Sequence, residues 1–185
     1  MKVVFILLAV IIIAAAGIYA YYGGFKKISP QIREEGGETL VYEEVKGDYK
    51  NTAAVMDKIY YSLLNDENIE TFKGFGIYYD DPKKVDKENL RSEAGCILEY
   101  TDRDNFREFE KQYQLKTFPK KQYLTAEFPW KGKMSVMFSI LKVYPALNKY
   151  ARANGYDVNT AVMEIYDIPN RKILYRKDLK STQEQ

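Results

Sequence analysis

The chain opens with a long apolar run and continues as a mixture of alternating and periodic patterns. The twenty residues Val3–Tyr22 carry no charge, and a helix needs about 20 such residues to cross a bilayer. Lys2 precedes the run and Lys26-Lys27 follow it as positive flanks. Tyrosines cluster at its far end, as aromatic side chains do at a membrane–water interface. The pattern predicts a transmembrane anchor over residues 1–25.

A cleaved signal peptide is the competing interpretation of this run. Ala14-Ala15-Ala16 offers the small residues of a cleavage site. The apolar stretch continues through Ile18 to Tyr22, beyond a typical signal-peptide core, so an uncleaved single-pass anchor is favoured. The lysines and Arg33 beyond the run slightly outweigh Lys2 and the amino terminus. By the positive-inside rule, the soluble domain is expected on the cytoplasmic side.

The rest of the chain alternates between strand-like and helix-like segments. Residues 26–38, with their prolines and glycines, are predicted to form a linker, and residues 181–185 a polar tail. Aromatic residues on one face predict a bridging helix over 102–115. Pro145, which lacks an amide donor, is expected to kink or split the helix around it. Apolar spacing predicts helices through Val55, Ile59 and Leu63 and through Val136, Ile140, Val143 and Leu147. Strands are predicted at Thr39–Val45, Gly76–Tyr79, Ala94–Tyr100, Lys121–Phe128, Val162–Asp167 and Lys172–Arg176.

A short motif occurs twice after the anchor. Ile77-Tyr78-Tyr79-Asp80-Asp81-Pro82 returns as Glu164-Ile165-Tyr166-Asp167-Ile168-Pro169, and a strand, a turn glycine and a helix precede each copy. This order predicts duplicated β-α-β-β units over about 39–100 and 121–177. The predicted fold class is α+β. In it, the two units form a pseudo-two-fold antiparallel-sheet domain over 39–180, with helices on one face, preceded by one transmembrane helix.

Composition narrows the functions open to the chain. The net charge of +2 gives no indication of nucleic acid binding. The absence of histidine removes histidine-based triads and histidine-ligated metal sites. Cys96 is the single cysteine and lies in an apolar run, which indicates a buried small residue. The 17 tyrosines suit either strand packing or a ligand pocket. We expect no cofactor and no bound metal.

Glu164 stands out as an acid inside an apolar strand. It takes the place that Ile77 holds in the first copy of the motif. A buried carboxylate needs a partner, or its pKa rises. With Tyr166 on the same face of the strand, Glu164 is suited to bind a cationic or hydrogen-bond-donating ligand, or to act as a general acid or base. A solvent-facing glutamate, or one paired with a lysine, is the alternative.

Three further residues are candidates for the same ligand site. Tyr79 is the counterpart of Tyr166 in the first motif, Glu127 is a second acid within a predicted strand, and Trp130 lies in the following turn. The site is expected in the groove between the two repeats, because ligand sites favour concave junctions. An edge-strand surface position is the alternative for Glu127. The sequence identifies no catalytic residue.

These motifs resemble the GyrI-like small-molecule-binding domain, which is also the effector-binding module of AraC-type and MerR-type regulators. The resemblance rests on the Glu-x-Tyr strand at Glu164 and Tyr166, on Gly76–Pro82 and on the duplicated order. It implies a pocket between the halves, a buried glutamate at Glu164, and amphipathic, often cationic ligands. The anchor, Thr125–Pro129 and Val143–Leu147 are similar to the membrane-anchored branch of the family. That branch includes a testis-expressed receptor for autophagy of the endoplasmic reticulum.

Three functional hypotheses follow from the sequence. The first, which we favour, is a membrane-anchored domain that binds amphipathic small molecules, including cations, in the groove between its repeats. The second is a hydrolase that uses a pocket glutamate and water, as hydrolases reported in the family imply. The third is a membrane-tethered scaffold for protein or lipid. An acid beside tyrosines in a chain without histidine favours binding over catalysis.

Overall fold

The structure, a computed structural model, describes residues 2–99 and 111–181. The strands and helices predicted within these ranges are present, and two further strands, β1 and β5, join them. The strands are β1 (Gln31–Glu35), β2 (Thr39–Lys46), β3 (Lys73–Tyr78), β4 (Arg91–Leu98), β5 (Gln114–Thr117), β6 (Lys121–Pro129), β7 (Val162–Asp167) and β8 (Lys172–Asp178). The helices are α1 (Lys2–Tyr21), α2 (Thr52–Asp66) and α3 (Lys133–Ala153).

All eight strands form one antiparallel sheet, in the order β1-β6-β8-β7-β3-β4-β2-β5. β3 and β7 pair at its centre. Outward from this pair the order is β3, β4, β2 on one side and β7, β8, β6 on the other. The α+β fold class with an antiparallel sheet is therefore confirmed. The strand order is the one that duplicated β-α-β-β units would produce, while the duplication itself stays a prediction.

The helices α2 and α3 lie on the same face of the sheet. Residues paired across neighbouring strands share a face. One such row is Val41, Cys96, Gly74, Tyr166, Ile173 and Phe128. At one end of the row, Cys96 clusters with Leu63 of α2. At the other end, Ile173 clusters with Leu147 of α3. Full burial of each large apolar side chain stabilises the fold by about 1.5–3 kcal/mol.

The opposite face of the sheet has a buried cluster of its own. Leu40 of β2 and Tyr123 of β6 both belong to it, together with Phe75 of the central strand β3. Because β2 and β6 lie near opposite ends of the strand order, the sheet curls around this cluster. Phe118, in the β5–β6 connection, stacks on Tyr123 at 5.3 Å between ring centroids and helps to cover the cluster. The two faces therefore carry separate cores.

The predicted linker over residues 26–38 contains a strand. β1 extends the sheet by pairing with β6, with Gln31 opposite Thr125. Glu35 at its end forms an ion pair with the buried Arg176, at 2.9 Å. Local composition gave no strand signal here because the segment is mostly polar. The strand exists because β6 offers it a free edge and because β8 offers a cation.

The predicted bridging helix over 102–115 falls mostly outside the described residues. Its last two positions, Gln114 and Leu115, are in β5 instead. Leu115 pairs with Val41 of β2, so the free edge of β2 overrides the helical spacing that the sequence suggested. Within the predicted tail, only Ser181 is described, and it forms an isolated bridge with Tyr156.

The helix α3 continues without a break through Pro145, so the expected split is wrong. Proline removes the hydrogen bond to the carbonyl four residues earlier, which is that of Leu141. Leu141 is 65% exposed, so water can reach this part of the helix and solvate the freed carbonyl. The helix ends where Asn154 caps it and Gly155 takes a left-handed φ of 73°.

The helix α1 has no buried residue. It is long and apolar enough to cross a membrane, a test that an N-terminal signal sequence also passes.

Candidate functional site

The site lies over the central strand pair, between α2 and α3. α2 packs on β2, β3 and β4, and α3 on β6 and β8, which leaves β7 between them. Gly74 and Gly76 of β3 lie below this gap, at positions where a side chain would face the helices. Their partners across the pair are Tyr166 and Glu164 of β7. The glycines therefore leave room on the helix side of the sheet for the larger side chains of β7.

Glu164 is 2% exposed, and two tyrosines hold its carboxylate. Tyr144 of α3 donates to Oε1 at 2.7 Å, and Tyr166 donates to Oε2 at 2.8 Å. Burial raises the pKa of Glu164, and these two hydrogen bonds oppose the rise in part. Within the described residues, no lysine or arginine pairs with this carboxylate.

Two more tyrosines complete the surroundings of Glu164. Tyr78 folds back over Gly76, and its hydroxyl lies 3.2 Å from Oγ1 of Thr52 in α2. Tyr175 of β8 is paired with Glu164 in the strand register, and its hydroxyl donates to Oγ of Ser139 at 2.6 Å. The site thus joins both helices and the three strands β3, β7 and β8.

We call the four tyrosines around Glu164 the tyrosine cage; its members are Tyr78, Tyr144, Tyr166 and Tyr175. Burial, followed by the nearby Glu164 charge, raises the pKa of each of the four hydroxyls. The cage therefore stays protonated and neutral. It can donate hydrogen bonds to a carboxylate but cannot neutralise its charge, which leaves the site suited to a cation or a proton.

Three of the five predicted site residues come together. Glu164 and Tyr166 are in direct contact, as described above. Trp130 lies edge-on to the Tyr166 ring, at 5.6 Å between ring centroids. The low exposure of Glu164 also confirms that this carboxylate is buried within its strand.

The other two predicted residues are on the opposite face of the sheet. Glu127 is exposed and lies 3.7 Å from both Arg33 and Lys172, as an ordinary surface acid. The Tyr79 hydroxyl donates to Glu93 at 2.8 Å, away from the cage. Strand alternation is the reason, because the neighbours Phe128 and Tyr78 are the residues that face the helices. No shared site for Glu127 and Glu164 exists.

Ile77 and Glu164, which the motif alignment places at equivalent positions, lie on opposite faces of the sheet. Ile77 pairs with Met163, and both belong to the cluster on the far face of the sheet, so Ile77 is not the counterpart of Glu164. The residue beside Glu164 is Gly76. A shift of one position exchanges the two faces of a strand, so the motif points to Tyr79 while its neighbour Tyr78 is the residue beside Glu164.

Three members of the cage were missed from the sequence: Tyr78, Tyr144 and Tyr175. The alternating Gly74-x-Gly76 is the signal that could have located Tyr78, because it marks one face of β3 as free of side chains. For Tyr144 and Tyr175, the sequence carries no local signal. Their place depends on how α3 and β8 pack against β7.

Two open cavities lie away from the Glu164 carboxylate, and Tyr175 is the member of the cage that lines one of them. One of about 210 Å³ is lined by Lys26, Glu127 and Arg176, and one of about 540 Å³ by Tyr79 and Glu93. Glu164 lines neither of them. We assign the site by its buried, uncompensated carboxylate and not by the size of an open pocket, because the cage closes over that carboxylate.

The fold and the site together define an α+β ligand-binding domain. Residues 29–178 match the model of the GyrI-like small molecule binding domain. The chain therefore belongs to this family, and the identification made from its sequence motifs is confirmed. No curated protein shows a significant sequence match.

Two solved structures illustrate the likeness. The C-terminal domain of EcmrR has a TM-score of 0.58 at 12% identity, over 84% of this chain and 99% of its own. SAV2435, solved bound to tetraphenylphosphonium, has a TM-score of 0.55 at 12% identity, over 82% and 94%. At this identity the likeness concerns the fold.

Proposed function

We propose that the protein is a membrane-anchored domain that binds amphipathic cations at Glu164, within the tyrosine cage. The observation that carries this proposal is a carboxylate buried to 2% exposure whose described partners are neutral hydroxyls. A cation would compensate its charge. The four aromatic rings would add attraction between the cation and their faces, on the order of 0.5–2 kcal/mol per ring in direct contact.

A ligand must displace part of the cage to reach Glu164. Tyr78, Tyr144 and Tyr166 keep some exposure. Of these three, Tyr144 and Tyr166 are the ones whose hydroxyls bond to the carboxylate. When a cation takes their place, each hydroxyl is free to rotate. SAV2435, which has a similar fold, is bound to the lipophilic cation tetraphenylphosphonium. That ion is therefore the probe of choice.

The test compares two ions of nearly the same shape and opposite charge. The full chain in lipid nanodiscs is titrated calorimetrically with tetraphenylphosphonium and with tetraphenylborate, and the heats for empty nanodiscs are subtracted. We expect saturable binding of the phosphonium ion alone. Glu164→Gln should weaken it at least tenfold, which corresponds to about 1.4 kcal/mol.

Glu127→Gln is the matched control, because it removes the same charge from the exposed face of the sheet. It should leave the affinity unchanged. Equal binding of the two ions, or full affinity in Glu164→Gln, would refute the role of the buried charge.

The closed cage is an observation that also supports the scaffold hypothesis. A groove filled by its own side chains is what a protein or lipid scaffold would show, and Glu164 lines neither open cavity. The same titration separates the two functions, since a scaffold would bind neither ion saturably. The hydrolase hypothesis has no such support, because Glu127 lies on the opposite face and both oxygens of Glu164 are engaged.

We also propose that α1 is an uncleaved anchor with the domain on the cytoplasmic side. Support comes from its apolar composition, and from Gly23, where an added side chain would collide with Pro129 at 2.9 Å. The chain after α1 is thus packed against the domain. The intact mass of protein extracted from membranes distinguishes an anchor from a cleaved signal, and protease protection of sealed vesicles gives the orientation.

A further inference from the structure

The first half of α3 carries an apolar stripe on its outer side. The stripe consists of Met134, Met137 and Leu141, which are 42%, 47% and 65% exposed. Their spacing of three and four residues places them on one side of the helix. The residues that α3 buries, among them Ser135 and Ser139, lie on the other side. We call these three residues the outer stripe.

The outer stripe lies next to the end of α1. The ring of Phe138, which follows Met134 by four residues and precedes Leu141 by three, is 5.5 Å from that of Tyr19 in the last turn of α1. It also stacks on Tyr22, at 6.2 Å. The start of α3 is therefore fixed at the level where α1 ends.

Two lysines tie the same elements together. Lys131 donates to the carbonyl of Tyr21 at 2.7 Å, and Lys142 donates to the carbonyl of Gly24. Lys131 also lies over the Tyr21 ring, 4.4 Å from its centroid. Phe25, 72% exposed, continues the apolar surface from α1 toward the domain. Lysines beside exposed aromatic and aliphatic groups are typical of helices at a membrane surface.

The apolar character stops where α3 leaves α1. On the side of the outer stripe, the second half of the helix presents Asn148 and Arg152. If the whole helix bound an apolar partner, its outer side would be expected to stay apolar along its full length. The change is expected if only the half beside α1 reaches the lipid.

We propose that the outer stripe inserts into the interfacial layer of the bilayer that α1 crosses, so that α3 lies against the membrane. The inference rests on the proposed anchoring of α1. It assigns a surface that the binding function does not use, and its occupant is lipid. Tyr144, which donates to Glu164, follows Met137 by seven residues and therefore lies on the flank of α3 next to the outer stripe.

The test uses single cysteines in the full chain with Cys96→Ala. Leu141→Cys and Met137→Cys are labelled with the environment-sensitive dye NBD and reconstituted in nanodiscs of phosphatidylcholine and phosphatidylglycerol. Quenching by lipids that carry a doxyl group near the headgroup is then measured. We expect blue-shifted emission and at least threefold stronger quenching at both positions than at Tyr61→Cys. Tyr61 is a matched control, since it is 58% exposed on α2, on the half of the sheet away from α1.

Ile12→Cys, at the middle of α1, reports on the anchor separately, and its quencher is a lipid that carries the doxyl group near the end of the acyl chain. If the dye at position 12 is quenched while positions 137 and 141 behave like position 61, the anchor stands and the outer stripe does not touch lipid. If position 12 is not quenched, the anchor is refuted and this inference falls with it.

Discussion

At the scale of single residues, the two glycines of β3 determine what the space beside Glu164 can hold. A Cβ on Gly76 would lie 2.7 Å from the Tyr78 hydroxyl, which is closer than atoms of this kind approach. A Cβ on Gly74 would meet the Met56 sulfur at 3.3 Å. The ring of Tyr78 is rigid and half-buried, whereas the methionine is flexible and can move aside.

Gly76→Ala should therefore destabilise the protein by about 1–3 kcal/mol, because overpacking forces the Tyr78 ring off its place. It should also disturb the contact of that hydroxyl with Thr52. Gly74→Ala is the control and should cost less than about 1 kcal/mol. Urea unfolding of the full chain in mild detergent measures both. Equal effects would show that the ring of Tyr78 is not constrained as the structure has it.

At the scale of elements, α3 combines an unbroken helix with an internal proline. Pro145 is exposed and leaves the carbonyl of Leu141 without its backbone partner. Pro145→Ala restores that hydrogen bond but gives the unfolded chain more freedom, an opposing effect of about 0.4–1 kcal/mol. We expect a net gain of about 2–3 kcal/mol in the free energy of unfolding, again measured in urea. A loss of stability would mean that the proline shapes the helix for the packing of Tyr144 or for the contact with α1.

Helices and strands were predictable from the sequence where their apolar residues are regularly spaced. The helices through Leu63 and Leu147 and the strand through Glu164 were found because their apolar spacing reflects burial in the structure. The strands β1 and β5 were not predicted, since both are mostly polar edge strands that depend on a free neighbouring edge. Pairing between distant segments supplies their hydrogen bonds, and local composition does not encode it.

The site was predictable only in part, for the same reason. Glu164 and Tyr166 share a strand, so their common face followed from alternation alone. Tyr78 was missed by a one-residue error in register, and Tyr144 and Tyr175 reach the carboxylate from other elements. The cage is built from four elements, so it depends on the tertiary structure. Only the contribution of β7 could be predicted from the sequence.

At the scale of the whole molecule, the absence of histidine simplifies the dependence of stability on pH. No side chain with an ordinary pKa titrates between about pH 5 and 8 in this chain. Burial raises the pKa of Glu164 above its usual value of about 4.5, so the folded state retains this proton at a pH where the unfolded state has lost it. The contribution of Glu164 to stability therefore falls as pH rises from about 4.5 to the raised pKa.

Glu164→Gln should remove this fall, and the difference in unfolding free energy between the variant and the natural chain should grow with pH across the window. Affinity for a cation should change in the opposite sense, rising with pH as the carboxylate ionises. Denaturant unfolding and calorimetric titration at half-unit pH steps check the two trends. A flat difference between the two proteins would contradict the raised pKa.

A second titration, at higher pH, is expected from Lys177. It is almost fully buried and donates to the carbonyls of Val158 and Thr160, and burial lowers its pKa to about 8. The unfolded state then holds this proton up to about 10.5, so stability should rise with pH between these values. Lys177→Met should lack that rise, which separates the contribution of Lys177 from that of Glu164.

The edge-on contact between Trp130 and Tyr166 gives the protein an internal optical reporter. Trp130 is the single tryptophan of the chain, so all indole emission comes from one place. Its neighbour Tyr166 holds the carboxylate with its hydroxyl, and a ligand that moves that ring changes the surroundings of the indole. A ligand bound as proposed is therefore expected to change the colour and intensity of the intrinsic fluorescence, without any label attached to the molecule.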